Sequence, residues 1–426
     1  MRDRAGGVTP ARVRWTIISL LLAATTINYI DRQAIAVAAP IISKEFGLSA
    51  TDYSFIVSAF LLAYAVMQVV AGVVIDRVGT RRGFSLAITG WSLATMLHAF
   101  TGGLWGLAAS RFALGAFEAA NFPAALKAVS EWCTAGQRAA AVGVLSVGPG
   151  LGAVLAQPIV AGLILTVGWR GSFVVVGAIG FLWLLVWQRV YFAPGNHPWL
   201  APDDRRSVDA AIAAEQIAGS DAPVSLRVLL ADGALWGVMA SRFVVDGAFY
   251  FFVFWLPKYL TDERGFTLVQ IALLAWIPYL AADAGALTGG ALGSALTRRG
   301  WSLAATRFTV LWTGALIVPL SLPVLSPGSP LWALFFISLA MFGMQMRVAA
   351  HFTLPADLYP PRSVALAWGL TGAAGSLGGM AFTPFVGWAV DNWSYVPVFW
   401  MVVVTNLAAP LILQLTVATR LRRIGA

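Results

Sequence analysis

Apolar stretches of about twenty residues recur from Trp15 to Thr419, and they constrain the fold of this chain more than any other feature. Each is long enough to cross a hydrocarbon core of about 30 Å as a helix. A backbone in lipid must satisfy its own hydrogen bonds, and continuous runs of this length do not fit the short alternating strands of a transmembrane barrel. The composition agrees, because 59% of the 426 residues are hydrophobic and only 11% are charged. The sequence therefore predicts an all-α membrane protein.

We predict twelve membrane-spanning helices from these runs. Their expected ranges are 14–37, 54–75, 84–101, 105–128, 139–165, 171–192, 234–257, 269–294, 304–323, 331–352, 364–389 and 397–419. The first range resembles a signal peptide in position. Its length, its internal charges and the lack of a small-x-small cleavage site indicate a retained helix instead.

The basic residues indicate the orientation. Most of the 28 Lys and Arg fall in the termini and in loops on the same side, whereas only Lys44, Arg170, Lys258 and Arg264 fall in loops on the opposite side. The positive-inside rule then places both termini in the cytoplasm. The net charge of +9 is explained by this anchoring beside an anionic leaflet, so we expect no nucleic-acid partner.

The lone Cys133 excludes an intramolecular disulfide and any multi-cysteine metal site.

The longest hydrophilic stretch divides the chain into two sets of six helices. We predict an N-terminal bundle at 1–192, a cytoplasmic linker at 193–233 with a short surface helix in SVDAAIAAEQI, and a C-terminal bundle at 234–426. GTRRGFSL after the second span is repeated as LTRRGWSL after the eighth. Two six-helix halves with a binding site between them are typical of a rocking transporter.

Several motifs resemble a known family. DRVGTRRGF (76–84) resembles the signature loop of the major facilitator superfamily, and INYIDRQAIAVAAPIISKEFG, RFALGAFEAANFPAALKAVSEW, FVFWLPKYLTDERGF and FTLPADLYP resemble the anion:cation symporters, in particular bacterial hexuronate transporters. The resemblance implies the twelve-helix fold of that superfamily, a bacterial inner membrane, proton coupling and an organic-anion substrate. It also implies a gating loop that contains Asp76, Arg77, Arg81 and Arg82. We expect a monomer.

Charged residues within the spans mark the candidate site. Each costs about 2.5–3.5 kcal/mol to insert at a bilayer centre, and such residues by default mark substrate paths or proton relays. In the fold that the resemblance implies, the first, fourth, seventh and tenth helices line the cavity. Those helices contain Asp31, Arg32, Arg111, Glu118, Asp246 and Arg347, with Arg242 nearer a membrane end.

Four of these residues form a set of zero net charge. Arg111 and Glu118 are seven residues apart, about two helical turns, so both point to one face of the fourth helix and can meet Asp31 and Arg32. A bound carboxylate adds one negative charge, and a proton taken up by Asp31 or Glu118 restores the balance. The resemblance implies the same division of roles, with Asp31 and Glu118 for proton coupling and Arg32 for the anion. The alternative is that two ion pairs only staple helices together.

Further polar residues are candidates for the remaining contacts with a substrate. Besides Arg32, we expect Tyr29, Tyr64, Arg111, Asn121 and Gln345 to bind it, with Gln68, Gln157, Tyr250 and Trp276 as weaker candidates. The roles of Asp283, Arg242, Asp246, Arg347 and His351 stay open. Asp283 either faces the cavity or caps a break in the eighth helix, and His351 is either titratable or a satisfied histidine.

Two departures from the hexuronate-transporter pattern affect the substrate. The fifth helix has SVGPG where those transporters have an Asn- and Ser-rich stretch, and the tenth helix gains Arg347. An extra arginine and fewer amides would favour a dicarboxylate, an aromatic acid or another non-sugar anion.

We predict a secondary transporter that imports a small organic anion, a hexuronate or other sugar acid, by proton symport. The alternative is an exchanger or exporter of the same fold for a non-sugar carboxylate. No GxxxxGK[ST] motif is present, so we expect a proton gradient to drive transport without a cofactor. Three scattered histidines and one cysteine do not form an enzyme's nucleophile or metal cluster, so we predict that the chain is not an enzyme.

Overall fold

The computed structural model describes residues 8–218 and 226–424, and within those ranges the chain contains no strand. Its α-helices are α1 (Pro10–Phe46), α2 (Ala50–Val78), α3 (Thr80–Leu97), α4 (Leu104–Glu118), α5 (Asn121–Trp132), α6 (Ala135–Leu145), α7 (Gly148–Val190), α8 (Pro202–Ala218), α9 (Leu226–Leu230), α10 (Gly233–Arg264), α11 (Leu268–Leu274), α12 (Ile277–Arg298), α13 (Leu303–Ile317), α14 (Pro330–His351), α15 (Leu354–Leu358), α16 (Pro361–Asn392), α17 (Val396–Thr416) and α18 (Ala418–Ile424).

The helices agree with twelve membrane crossings. By length and hydropathy alone, eight stretches of the described chain can span a bilayer. One of them, Gly136–Val190, has 55 residues and holds two crossings, because Gly168 turns the chain with a φ of 73°. The remaining crossings are α3, the α4–α5 pair and α16. Each of them is too short, interrupted or too polar to be found by length and hydropathy alone.

Several predicted spans are interrupted where the sequence analysis expected one continuous helix. Breaks inside predicted spans separate α4 from α5, α6 from α7 and α11 from α12, and one further break, at the predicted end of its span, separates α14 from α15. A proline lies within the first three residues of the helix that follows each break, at Pro123, Pro149, Pro278 and Pro355. Proline has no N–H for the carbonyl four residues earlier, so that carbonyl loses its helical partner and the helix breaks nearby.

The linker helix that we predicted in SVDAAIAAEQI is confirmed as part of α8. It begins earlier than expected, at Pro202, and carries Asp203 and Asp204 in its first turn, where carboxylates favour the positive end of the helix dipole. The division of the chain at 193–233 stays a prediction.

Helices from the two predicted halves contact each other at the end of the bundle opposite to the termini. Asp391, at the end of α16, accepts hydrogen bonds from the backbone N–H groups of Ala50 (2.8 Å) and Thr51 (2.7 Å), at the start of α2. The hydroxyl of Tyr53 donates to the carbonyl of Phe254 on α10, at 2.7 Å. We call this set of contacts the far-end seal.

A close approach of two helices positions the candidate site. A Cβ added at Gly115 of α4 would lie 2.4 Å from the carbonyl oxygen of Phe60 on α2, so only glycine allows this packing. The contact lies between Arg111 and Glu118 in the sequence. It therefore holds both charged residues beside α1 and α2.

Candidate binding site

An ion pair between α1 and α4 lies at the centre of the site. The Nε and Nη2 atoms of Arg32 both lie 3.0 Å from Oε2 of Glu118, and both side chains are buried. Arg32 Nη2 also contacts Oδ1 of Asn28 at 3.5 Å. Glu118 is the last residue of α4, so the break before α5 leaves it at a helix end. The second carboxylate oxygen, Oε1, has no hydrogen-bond partner among the described residues.

Aromatic rings surround the Arg32 guanidinium. Its central carbon lies 4.5 Å from the ring centre of Tyr29, 4.6 Å from that of Tyr64 and 5.1 Å from that of Phe60. Cation–π attraction of this kind gains strength when the cation is removed from water. The rings thus fix a flat, forked donor whose geometry matches a carboxylate.

Arg111 is a second buried cation beside the first. Its guanidinium carbon lies 4.3 Å from the ring centre of Phe60 and 5.5 Å from that of Phe254. Nη1 donates to the backbone carbonyl of Arg32 at 3.5 Å, whereas Nε and Nη2 have no partner within the described chain. Arg111 therefore has donor groups available for an anion.

Asp31 is fully buried, and neither of its carboxylate oxygens has a hydrogen-bond partner in the part of the chain that the structure describes. A buried, ionised carboxylate without partners is strongly destabilised. The neutral, protonated form removes most of that cost.

The other predicted polar contacts differ in position. Asn121, in the first turn of α5, donates to the hydroxyl of Thr25 at 3.3 Å, and Gln157 is buried with both amide atoms unpaired among described residues. Gln345 is half-buried on α14. Gln345 and Arg347 are two residues apart and so point to different helix faces.

A second charged cluster lies between α10 and α14. Arg242 Nε and Nη2 donate to Oδ2 of Asp246 at 2.9 and 2.8 Å, and Arg242 lies 4.6 Å from the ring centre of Phe352. Arg347 Nη1 donates to Nδ1 of His351 at 2.8 Å. The cluster is defined here by Arg242, Asp246, Arg347 and His351, and we call it the C-terminal cluster.

The predicted gating loop is tied to neighbouring helices. Asp76 pairs with Lys127 Nζ at 2.9 Å, and Arg81 donates to the backbone carbonyl of Gln188 and stacks on Phe192. Arg77 and Arg82 are exposed. These contacts hold the α2–α3 junction against α5 and the end of α7, away from Arg32.

Asp283 contacts the fifth predicted span. A Cβ added at Gly150 would lie 2.3 Å from the carboxylate oxygens of Asp283, which shows how closely α12 approaches α7. Asp283 lies inside α12 and not at its start, so it does not cap the α11–α12 break, and the cavity-facing role stays a prediction.

Sequence reasoning missed the two phenylalanines of the site. Phe60 stacks on Tyr64 with ring centres 5.7 Å apart, and Phe254 stacks on Tyr250 at 6.0 Å. Each lies four residues from a tyrosine that we had singled out, so the helical spacing could have identified both.

Comparisons with known proteins agree with this fold. Residues 21–350 match the model of the Major Facilitator Superfamily. The Hexuronate transporter of Escherichia coli (strain K12) is 33% identical over 94% of this chain and 93% of its own length. The D-galactonate transporter of Escherichia coli O6:H1 is 31% identical over 91% and 92%. A crystal structure of a bacterial homologue of the lysosomal transporter Spinster, inward-facing and unoccupied, has a TM-score of 0.73 at 20% identity, with 97% and 98% coverage.

The family match and the relatives over most of the chain place this protein among membrane transporters, not enzymes. The chain belongs to the Major Facilitator Superfamily. The predicted resemblance to hexuronate transporters is confirmed by relatives that match over most of the chain. The twelve-helix architecture is that of the superfamily, and the protein is a multi-pass membrane protein.

Proposed function

We propose that this protein is a proton-coupled symporter that imports a small organic anion, in the first place a hexuronate or related sugar acid. Relatives over most of its length are named as transporters of hexuronate and D-galactonate. A sugar acid offers one carboxylate for an arginine fork and several hydroxyls for tyrosines and amides. The proposal includes a location in the bacterial inner membrane with both termini in the cytoplasm. The distribution of basic residues supports this orientation.

The observation that carries the proposal is that Glu118 occupies the Arg32 fork. A substrate carboxylate needs the same Nε and Nη2 donors, and both lie 3.0 Å from Glu118. Protonation of Glu118 weakens its hold on Arg32 and frees the fork. Proton uptake and anion binding are then linked by competition for one guanidinium.

Asp31 supplies a second proton-binding group next to that fork. Its unpaired oxygens favour the protonated form while the site is dry. Water that enters during opening of the cavity would solvate the ionised form and allow proton release. In this scheme Asp31 exchanges its proton with the bulk solvent, and Glu118 couples it to the anion.

Transport in proteoliposomes tests the coupling. With a pH gradient acid on the outside, we expect native protein to accumulate labelled glucuronate or galacturonate, and a protonophore to abolish the accumulation. We expect Glu118→Gln to lose proton-driven accumulation but to retain exchange of labelled for unlabelled substrate. The neutral amide has no charge with which to compete against the substrate carboxylate for Arg32. Glu45→Gln is the matched control, since Glu45 pairs with Arg170 outside the site.

Two outcomes would contradict the scheme. Proton-driven accumulation that survives in Glu118→Gln would show that this residue does not couple the proton. Exchange by native protein without any proton-driven accumulation would favour the anion exchanger over the symporter.

A further inference from the structure

The C-terminal cluster contains one more positive than negative charge. Arg242 and Arg347 are cations, Asp246 is the only carboxylate, and Arg242 already directs two N–H groups to its Oδ2 atom. His351 adds no charge, because its Nδ1 accepts the Arg347 hydrogen bond and the ring is therefore neutral. One positive charge in the cluster thus has no partner of its own.

Arg347 is the cation without an ion pair of its own, because Asp246 is bonded by Arg242. Its side chain is 1% exposed, no carboxylate of the described chain forms an ion pair with it, and its Nε atom has no hydrogen-bond partner there. An unpaired buried cation is costly unless a ligand completes it. A second carboxylate is the group that would supply both the charge and the acceptor atoms.

Tyr250 connects this cluster to the Arg32 fork. It lies one helical turn beyond Asp246 on α10, so both side chains share a face. Tyr250 also stacks on Phe254, whose ring centre lies 5.9 Å from that of Phe60, and the Arg32 guanidinium lies over the Phe60 ring. The rings of Phe60, Phe254 and Tyr250 therefore lead from the fork towards the cluster.

We propose that Arg347 and the C-terminal cluster form a subsite for a second carboxylate, so that the preferred substrate is an open-chain sugar diacid held by an arginine at each end. The inference rests on the proposed function, since Arg32 takes the first carboxylate. Arg242 and Asp246 line the subsite, and His351 positions the Arg347 guanidinium.

Galactonate and galactarate give a matched pair of probes, because they differ only at the last carbon, which is a CH2OH group in galactonate and a carboxylate in galactarate. Competition against uptake of labelled galactonate measures the affinity for each compound. We expect galactarate to compete at a concentration about tenfold lower than galactonate in native protein, and Arg347→Gln to abolish that preference by weakening galactarate binding much more than galactonate binding.

Arg307→Gln is the control variant, because Arg307 pairs with Asp357 elsewhere on the same half. Thermal denaturation in detergent establishes that each variant is folded. If Arg347→Gln does not fold, Arg347→Lys, which keeps the charge but not the forked donors, should fold and reduce the preference for galactarate.

The outcomes separate this inference from the proposed function. Galactonate uptake without preference for galactarate, or an equal loss of both affinities in Arg347→Gln, would overturn the diacid subsite and leave the symporter intact. Absence of proton-driven uptake of either acid, and of glucuronate and galacturonate, would overturn the proposed function itself.

Discussion

Arg32 shows how one side chain combines several demands. Its charge is compensated by Glu118, its flat faces are covered by Tyr29 and Tyr64, and its forked donors stay in a plane. A lysine could supply the charge but neither the planar fork nor the stacking. The adjacent Asp31 has no such partners, so two neighbouring residues of opposite charge have different surroundings in the same helix.

His197 gives a prediction about pH and stability. It lies in the loop after α7, where its ring is buried against Trp132 and its Nε2–H donates to the carbonyl of Val190 at 3.1 Å. Burial lowers the pKa of His197 below its usual range. Nδ1 accepts a hydrogen bond from the backbone N–H of Trp199, which a protonated ring could not do.

The sign of the effect follows from that lowered pKa. As pH falls through about 6.5, the unfolded chain takes up a proton that the folded state resists, so stability is lost towards acid pH. We expect His197→Gln to flatten the dependence of Tm on pH between neutral and mildly acidic buffers, relative to native protein. An unchanged slope would show that other groups set the acid sensitivity.

The helix breaks show what local sequence signals can predict. The apolar runs were sufficient to locate the crossings, and Pro123, Pro149, Pro278 and Pro355 were visible in the sequence. A proline shows where a helix can break. Whether the helix only bends there or divides into two helices depends on the helices packed around it. This is why Glu118 was predicted within a continuous span and instead lies at the end of α4.

Gly115 gives a prediction about helix packing. Gly115→Ala would place a methyl group 2.4 Å from a backbone oxygen of α2, which cannot move like a side chain. We expect a cost of about 1–3 kcal/mol and a weakened site, because α4 must move away with Arg111 and Glu118. Thermal denaturation and substrate counterflow measure the two effects.

Gly143→Ala is the matched control. Gly143 also lies within a helix, α6, but a Cβ there meets nothing within 4 Å. Alanine is favoured over glycine in helices by up to about 1 kcal/mol, so this variant should be neutral or slightly more stable. Equal losses in both variants would contradict the role assigned to the α2–α4 contact.

Relations between distant parts of the chain were predicted least well. The spacing of Arg111 and Glu118 correctly indicated a shared face, since both contact Arg32. No spacing could pair Asp391 with Ala50, because 341 residues separate them and each is unremarkable in its own helix. Such pairings depend on how the two sets of helices pack together, and a single sequence contains no periodic signal for that.

The far-end seal leads to a prediction for the whole molecule. Asp391 accepts hydrogen bonds from the free backbone N–H groups at the start of α2. A carboxylate at this position also interacts favourably with the positive end of the helix dipole. In the alternating-access cycle that we propose, this end opens, and these hydrogen bonds break in each cycle. We therefore expect Asp391→Ala to shift the population towards states in which the far end is open.

A buried cysteine can report that opening. Ser54 is 2% exposed and packs on Gly387 of α16, so Ser54→Cys in a Cys133→Ala background should react slowly with a maleimide. Adding Asp391→Ala should increase the labelling rate by several fold. Asp52→Ala is the control, because Asp52 caps the same helix through Ser49, whereas Asp391 bonds the N–H groups of Ala50 and Thr51. If both variants increase labelling equally, fraying of α2 explains the result, and the contact between the halves does not hold the far end closed.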